Sequence, residues 1–315
     1  IGAAYGGSLA ITGTSGPGLA LKAEAMGLTA ILELPLVIVD VQRGGPSTGL
    51  PTKTEQADLM QALYGRNGEC PMPVIAAKSP SDCFATAIEA CRIAIDYMTP
   101  VILLSDGYIA NGAEPWRFPS AADIEEIKVN FKEKLDEDEE TFLPYKRNEN
   151  HVRAWALPGT KGLQHRVGGL EKEAQTGNVS YDPANHEFMV KIREAKVNKV
   201  ADSIALQTLE EGEMGAEVLV LGWGSTYGAI RAAVRDLLKE GYSVAHTHLR
   251  HIKPFPKNLG DLLKAHKKVL IPELNNGQLA NVIRQEFLID VHQFNKIQGI
   301  PIATSELKTV IRQLF

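Results

Sequence analysis

The sequence predicts an α/β protein built from two parallel-sheet domains, and three observations indicate this fold. Apolar runs without polar alternation, such as residues 34–41 and 101–105, are typical of strands that helices cover on both faces. Segments of helical pattern alternate with such runs, both before residue 119 and after residue 217. With 315 residues, the chain is long enough for two domains that each have a core.

The first predicted domain covers residues 1–119. Its strands are expected near residue 9 and at 34–41, 73–78 and 101–105, and its helices at 19–27, 54–63 and 81–97. Gly27 is expected to end the first of these helices, because glycine is common just after a helix. Asp106, directly after the last strand, is expected to cap a turn or to contribute a polar group.

Residues 120–208 are predicted to be a linker with ordered loops. Residues 120–150 are dense in Asp, Glu and Lys, including the acidic run 136–140, and are expected to be solvated, with room for one helix. Loops are expected over 151–177, and a helix over 188–207.

The second predicted domain covers residues 209–315. Strands are expected at 218–223, 243–249, 268–274 and 301–304, with helices at 227–239, 257–265, 278–288 and the C-terminus. The turn 222–226 has the composition of an anion site at a helix N-terminus, but a purely structural turn is the favoured interpretation.

Composition argues against several classes of partner. The net charge of -5, without a basic run, argues against nucleic acid, and the lack of an apolar run of about twenty residues argues against a membrane span. We therefore expect a cytoplasmic protein. Cys70, Cys83 and Cys91 have neither zinc nor iron–sulfur spacing, and no metal site is expected. Residues 1–10 read as the middle of a helix without an initiator Met, which suggests a fragment that lacks its N-terminal part.

The loop after the strand 34–41 is the predicted binding site. Arg43 is its one arginine and lies among glycines, prolines and hydroxyl residues, which let a ligand approach the backbone. A guanidinium matches a carboxylate bidentately, and the hydroxyls of Ser47, Thr48 and Thr52 can bond nearby oxygens. The loop therefore predicts a small oxyacid as ligand. Alternatively, Arg43 pairs with Asp40 or Glu55 and the glycines merely turn the chain.

The turn 12–18 is a second candidate site. Its glycines match neither a P-loop, which requires Lys and Ser or Thr after the last glycine, nor the dinucleotide motif GxGxxG. Thr14, Ser15 and Gly16 instead offer hydroxyls and amides at a helix N-terminus. They are expected either to line a cofactor wall or to form a tight turn.

The segment QRGGPSTGLPTKTEQADL (42–59) resembles the signature of the alpha subunit of 2-oxoacid:ferredoxin oxidoreductases, in particular the 2-oxoglutarate type. The resemblance extends over nearly the whole chain. Its other motifs are TGTSGPGLALKAEAMG, VILLSDGYIANGAEPW, GLQHRVGGLE, DPANHEFMVKIREAK and NNGQLANVIRQEF.

This resemblance implies a pyrimidine-binding domain for thiamine diphosphate, followed by a transketolase C-terminal-like domain. It implies oxidative decarboxylation of a 2-oxoacid with coenzyme A, giving acyl-CoA, carbon dioxide and reduced ferredoxin. The cofactor would be shared with a beta subunit that carries Mg2+ and a 4Fe-4S cluster, which this chain would not bind. By resemblance, Arg43 clamps the substrate carboxylate and Thr52 bonds the same substrate. The family's YPITP motif and catalytic glutamate are absent from this chain.

Two other functions remain compatible with the residues alone. One is a non-catalytic oxyacid-binding or regulatory module that uses Arg43 without a cofactor. The other is the thiamine-dependent component of a NAD-linked 2-oxoacid dehydrogenase complex.

Overall fold

The computed structural model describes residues 1–137 and 139–315, which two five-stranded sheets organise. The strands are β1 Ile11–Thr14, β2 Leu36–Gln42, β3 Val74–Ala76, β4 Pro100–Asp106, β5 Phe131–Lys132, β6 Trp155–Ala156, β7 Leu209–Glu211, β8 Val218–Trp223, β9 Val244–Leu249, β10 His251–Lys253, β11 Lys268–Glu273 and β12 His292–Asn295. The helices are α1 Gly2–Tyr5, α2 Gly16–Leu21, α3 Ala23–Leu32, α4 Leu59–Tyr64, α5 Asp82–Asp96, α6 Gly107–Asn111, α7 Pro183–Lys199, α8 Tyr227–Lys239, α9 Leu259–Lys264, α10 Gln278–Phe287 and α11 Thr304–Arg312. Residue 138, within the predicted acidic run, lies outside the described residues.

The first sheet has the strand order β1-β2-β4-β3-β10, and its first four strands run parallel. β2 and β4 lie at its centre because both are mainly apolar, and every residue of β4 is buried. On one face α5 packs through residues such as Ala90 and Ala94. This arrangement places the carboxyl ends of β1, β2 and β4 together at one edge.

The second sheet has the order β12-β11-β8-β9-β7, again with four parallel strands. β8 is buried throughout, with α8 and α11 on one face and α9 and α10 on the other. The predicted fold, two parallel-sheet α/β domains, is therefore confirmed.

Each sheet also has an antiparallel edge strand that the sequence did not predict. β7 pairs with β9, and β10 pairs with β3 through His251 and Ile75. Each has only three residues, too few to show a period of two. Because β10 comes from the second half of the chain, the two halves share the first sheet.

Residues 145–199 are held against the first domain by buried charges. At the end of α3, Glu33 is completely buried and pairs with Arg147 and Lys196, the latter through Nζ and Oε2 at 2.6 Å. Burial alone would raise the pKa of Glu33, but Lys196, Arg147 and Arg153 outweigh it and lower that pKa to about 2. The segment 151–177, predicted as loops, is largely irregular but contains β6.

Several predicted helix limits were wrong. The first helix does not end at Gly27, since α3 continues to Leu32, where Glu33 adopts a left-handed conformation inside the charged cluster. The helix expected at 188–207 begins at Pro183, because Asp182 accepts a hydrogen bond from Asn185 N and caps it, and it ends at Lys199. Residues 1–10 contain only the short helix α1.

Two further predictions were also wrong. Residues 54–58, expected to be helical, precede α4, because the side chains of residues 54–56 are buried against other parts of the chain. The strand expected at 301–304 does not form, and the edge position in the second sheet is taken by β12.

Candidate functional site

β2 delivers Arg43 to the carboxyl edge of the first sheet, directly after Gln42. Residues 43–53 form a closed loop, in which Leu50 N donates to Gly44 O at 2.8 Å and Gly44 N donates to Lys53 O at 3.0 Å. Gly49 has φ +56°, and a Cβ there would lie 1.8 Å from Gly44 O, so this closure requires glycine. The loop therefore folds back on itself and places Arg43 at its base.

The Arg43 guanidinium is half-buried and joins the loop to the turn after β1. Its Nη1 donates to Ser15 Oγ at 2.7 Å, and its Nε donates to Thr48 O at 3.1 Å. Neither acceptor is charged. Within residues 1–137 and 139–315 Arg43 forms no ion pair, so the alternative that it pairs with Asp40 or Glu55 does not describe this structure. Its positive charge is thus not neutralised by a direct partner in that part of the chain.

A cavity of about 740 Å³ opens beside Arg43. The start of α2, the Arg43 loop and the segment leading into α4 line it, through Gly16, Pro17, Ala20, Leu21, Gly45, Pro46, Ser47, Glu55, Ala57, Asp58 and Gln61. This volume lies in the range that small-molecule sites occupy. The cavity combines one guanidinium, one loop hydroxyl and two carboxyl groups, a set suited to a small polar ligand.

The two carboxyl groups in the cavity wall are held firmly. Glu55 is only 6% exposed, and burial raises its pKa, against the backbone amides of Gly45 and Gly299, which lower it. Asp58 is fixed through its backbone N–H, which donates to Gln42 Oε1 at 3.1 Å. Its carboxyl lies against the bare Cα of Gly16, where a Cβ would meet Asp58 Oδ1 at 2.5 Å.

The turn after β1 lies directly beside the Arg43 loop. Of Thr14, Ser15 and Gly16, which were predicted as cofactor-binding residues, Ser15 bonds Arg43 and Gly16 lines the cavity, while Thr14 is the last residue of β1. Thr14 Oγ1 accepts a hydrogen bond from Lys22 Nζ at 3.3 Å. The two candidate sites of the sequence therefore form one continuous surface.

The other predicted substrate residues have different positions. Ser47 lines the cavity. Thr48 contributes its carbonyl oxygen to Arg43, while its side chain is exposed. Thr52 is exposed as well, has φ +63°, and is not among the residues that line the cavity in the described part of the chain. The structure thus groups Arg43 and Ser47 at the cavity and leaves Thr52 exposed, outside the cavity lining.

The segment after the loop attaches the site to the second domain. Asp106, at the end of β4, caps α6 by accepting from Tyr108 N at 2.9 Å, and it also accepts from Thr54 Oγ1 at 3.0 Å and Ser225 N at 3.3 Å. Gln56 Nε2 donates to Trp223 O at 2.8 Å. The turn 222–226 is therefore a domain contact, in line with its structural interpretation.

Four polar residues near the site were not predicted: Asp40, Glu55 as a cavity residue, Asp58 and Gln61. Asp40 did have a signal, because it is the one acid within the apolar run of β2. The others depend on how α4 packs, which no local pattern reveals.

The described part of the chain contains no group of three or more His, Cys, Asp or Glu side chains arranged to hold a metal ion. Nor does any helix in those residues have the length and apolarity needed to cross a membrane.

Comparison with known proteins identifies the two halves. Residues 1–182 match the family described as pyruvate flavodoxin/ferredoxin oxidoreductase, thiamine diphosphate-binding, and residues 216–307 match pyruvate:ferredoxin oxidoreductase core domain II. The 2-oxoglutarate oxidoreductase subunit KorA of Mycobacterium tuberculosis is 54% identical over 99% of this chain, which covers 47% of that relative. The 2-oxoglutarate synthase subunit KorA of Archaeoglobus fulgidus is 32% identical over 90% of this chain and 73% of its own length.

Solved structures agree. The 2-oxoglutarate:ferredoxin oxidoreductase of Magnetococcus marinus, solved with 2-oxoglutarate, coenzyme A and succinyl-CoA bound, has a TM-score of 0.92 and 35% identity over 100% of this chain. A split-gene transketolase shares only the fold, with a TM-score of 0.52 and 13% identity. The chain spans about half the length of the M. tuberculosis relative and 54% of the M. marinus chain. By the family match over more than half its residues and its identity to these relatives, the chain belongs to the 2-oxoacid:ferredoxin oxidoreductase family, as an alpha-subunit sequence with a thiamine diphosphate-binding domain.

Proposed function

We propose that this chain is the alpha-subunit part of an enzyme that oxidatively decarboxylates 2-oxoglutarate with coenzyme A, giving succinyl-CoA, carbon dioxide and reduced ferredoxin. The observation that carries the proposal is the Arg43 guanidinium, which lies at the wall of a cavity without a direct ion-pair partner in the described residues. The names of the M. tuberculosis and A. fulgidus relatives support 2-oxoglutarate as the substrate.

Arg43 is proposed to bind and orient the reacting carboxylate. Ser15 and Thr48 O hold its Nη1 and Nε, which leaves Nη2 and the second hydrogen of Nη1 for a ligand. Such fixed orientation lowers the entropic part of the barrier. Ser47 offers a hydroxyl from the same loop. Thr52 is proposed to bond the substrate when the active site is completed by the partner.

The cavity is proposed to accept the pyrimidine side of thiamine diphosphate, because the family that matches residues 1–182 is described as thiamine diphosphate-binding. Gly16 and Pro17 form a wall without long side chains, next to Arg43, in a cavity large enough for a ring beside a small acid. Thr14, Ser15 and Gly16 are the residues proposed to hold it. When bound, the cofactor supplies the electron sink for decarboxylation. The residues of this chain bind the carboxylate of the substrate and exclude water from it.

The partner is proposed to be a beta subunit that carries the diphosphate and Mg2+ site and a 4Fe-4S cluster, with ferredoxin as electron acceptor. The names of the relatives call them subunits, which supports an assembly with another chain. Cytoplasmic location remains a prediction.

The test is co-expression of the full alpha subunit with its beta subunit. We expect a brown complex that contains thiamine diphosphate and reduces ferredoxin only when 2-oxoglutarate and coenzyme A are both present, while the isolated chain of 315 residues is inactive. A colourless complex that binds 2-oxoglutarate without turnover would support the oxyacid-binding module instead. Reduction of NAD in place of ferredoxin would support the dehydrogenase component.

A further inference from the structure

Asp40 is an acid in the interior of the first sheet. It lies within β2, is 0% exposed, and has Thr14 on β1 and Leu104 on β4 as strand neighbours. In the described part of the chain neither Asp40 Oδ1 nor Oδ2 has a hydrogen-bond donor. A buried ionised carboxylate without donors is strongly unfavourable, so an ionised Asp40 does not suit this environment.

The carboxyl of Asp58 resolves the problem. Asp58 N donates to Gln42 Oε1, and Gln42 lies two residues after Asp40 on the same face of β2, so the two carboxyls are brought within hydrogen-bonding reach of each other. Asp58 Oδ2 is likewise buried without a donor among the described residues. Two carboxylates cannot bond each other, because both only accept. One proton between them supplies the missing donor and removes the repulsion of two like charges.

We propose that Asp40 and Asp58 hold a single proton between them, and that this proton keeps the Arg43 cavity able to accept an anion. Asp58 is the outer member, because it lines the cavity and lies against Gly16. Asp40 is the inner member, because it is sealed within the sheet. Both are positioning residues rather than catalytic ones.

The charges around the pair set the pH range in which the proton is held. Arg43 in the loop and Glu55 just after it face the pair, and within the described residues Lys22 Nζ donates to Thr14, the strand neighbour of Asp40. Burial first, and then Asp58, raise the pKa of Asp40 to about 8, although Arg43 lowers it. Burial and Glu55 raise the pKa of Asp58 to about 6, although the hydrogen bond with Asp40 and the charge of Arg43 lower it. The pair therefore carries one proton between about pH 6 and pH 8.

Loss of that proton has a consequence for ligands. Above about pH 8 the pair carries two negative charges beside the cavity, which repel an anionic ligand and compete for Arg43. This second half of the proposal depends on the proposed function, because it takes a 2-oxoacid as the ligand. The shared proton itself does not depend on it.

Infrared spectroscopy of the complete complex tests the proton. We expect a carbonyl stretch of a protonated carboxyl at pH 7 that disappears between pH 7 and pH 9. It should be absent from D40N, in which the amide donates to Asp58 in place of the proton, and present in the control D261N at an exposed site. Burial also raises the pKa values of Asp106 and Glu273, but their bands cancel when the D40N spectrum is subtracted from the wild-type spectrum. No pH-dependent band in the wild type, or identical spectra for wild type and D40N, would overturn the shared proton.

Binding of 2-oxoglutarate at pH 7 and pH 9 tests the consequence. We expect the Kd of the wild type to rise about tenfold between these values, as expected when one protonation must accompany binding. D40N should bind with nearly constant Kd, because its pair cannot gain a second charge. A rise in D40N equal to that of the wild type would overturn the role of the pair. Absence of 2-oxoglutarate binding at both pH values would overturn the proposed function and the effect of the pair on anion binding. The infrared band would still decide whether Asp40 and Asp58 share a proton.

Discussion

At the scale of single residues, Gly16 packs so closely against the Asp58 carboxyl that no side chain fits between them. A Cβ at Gly16 would lie within 2.5–2.8 Å of three atoms of the Asp58 carboxyl, whereas a Cβ at Gly13 would meet no atom within 4 Å. Gly16→Ala should displace Asp58 and destabilise the protein by about 1–3 kcal/mol, as overpacking does. Gly13→Ala is the matched control and should be close to neutral. Thermal unfolding checks both, and equal effects would contradict the packing of Asp58 on Gly16.

Substitution of Thr52 tests whether this residue contacts the substrate or has only a structural role in the loop. Its side chain is exposed, so Thr52→Val should change stability by less than about 1 kcal/mol. If it bonds the substrate in the complete enzyme, the same change should cost about 1–3 kcal/mol of transition-state stabilisation. The measurements are the melting temperature and the ratio of specificity constants for 2-oxoglutarate and pyruvate. If Thr52→Val lowers the melting temperature and leaves the ratio of specificity constants unchanged, Thr52 has a structural role and does not contact the substrate.

At the scale of elements, the sequence predicted the central strands well and the edges poorly. β2, β4 and β8 are mainly apolar, without polar alternation, so burial on both faces is visible locally. β10 could not be predicted, because its three residues pair with a strand about 175 positions earlier in the chain. At the site, the composition of the loop revealed Arg43, but Asp58 reaches the cavity only through tertiary packing.

The junction between α3 and α7 depends on one buried acid. Glu33→Gln should destabilise the protein by about 3–5 kcal/mol, because it leaves Lys196 and Arg147 buried without their counter-charge. The pKa of Glu33 is lowered from 4.5 to about 2, so this stabilisation is fully present above about pH 4.5 and is lost as the pH falls toward 2. Denaturation followed by circular dichroism measures both effects. The exposed Glu187→Gln is the control, and a similar loss there would show that the stability does not depend on the buried position of Glu33.

At the scale of the whole molecule, the two halves form one unit around the Arg43 loop. Asp106 joins β4 to Thr54 and to Ser225 of the second domain. Asp106→Ala should therefore lower the stability of both halves together, by about 2–4 kcal/mol, since it removes a helix cap and leaves buried donors unpaired. Hydrogen exchange of β4 and β8 should rise in parallel. Faster exchange in β4 alone would show that the halves are energetically independent.

Arg43→Lys tests whether Arg43 binds the reacting carboxylate of a 2-oxoacid. An ammonium cannot hold Ser15 Oγ and Thr48 O while also presenting two donors to a carboxylate. In the complete complex we expect kcat/KM for 2-oxoglutarate to fall about a hundredfold or more, corresponding to roughly 2–4 kcal/mol, while the complex remains folded. The exposed Arg166→Lys should behave as the wild type. Wild-type kcat/KM in Arg43→Lys would show that Arg43 does not bind the substrate and only ties the two loops together.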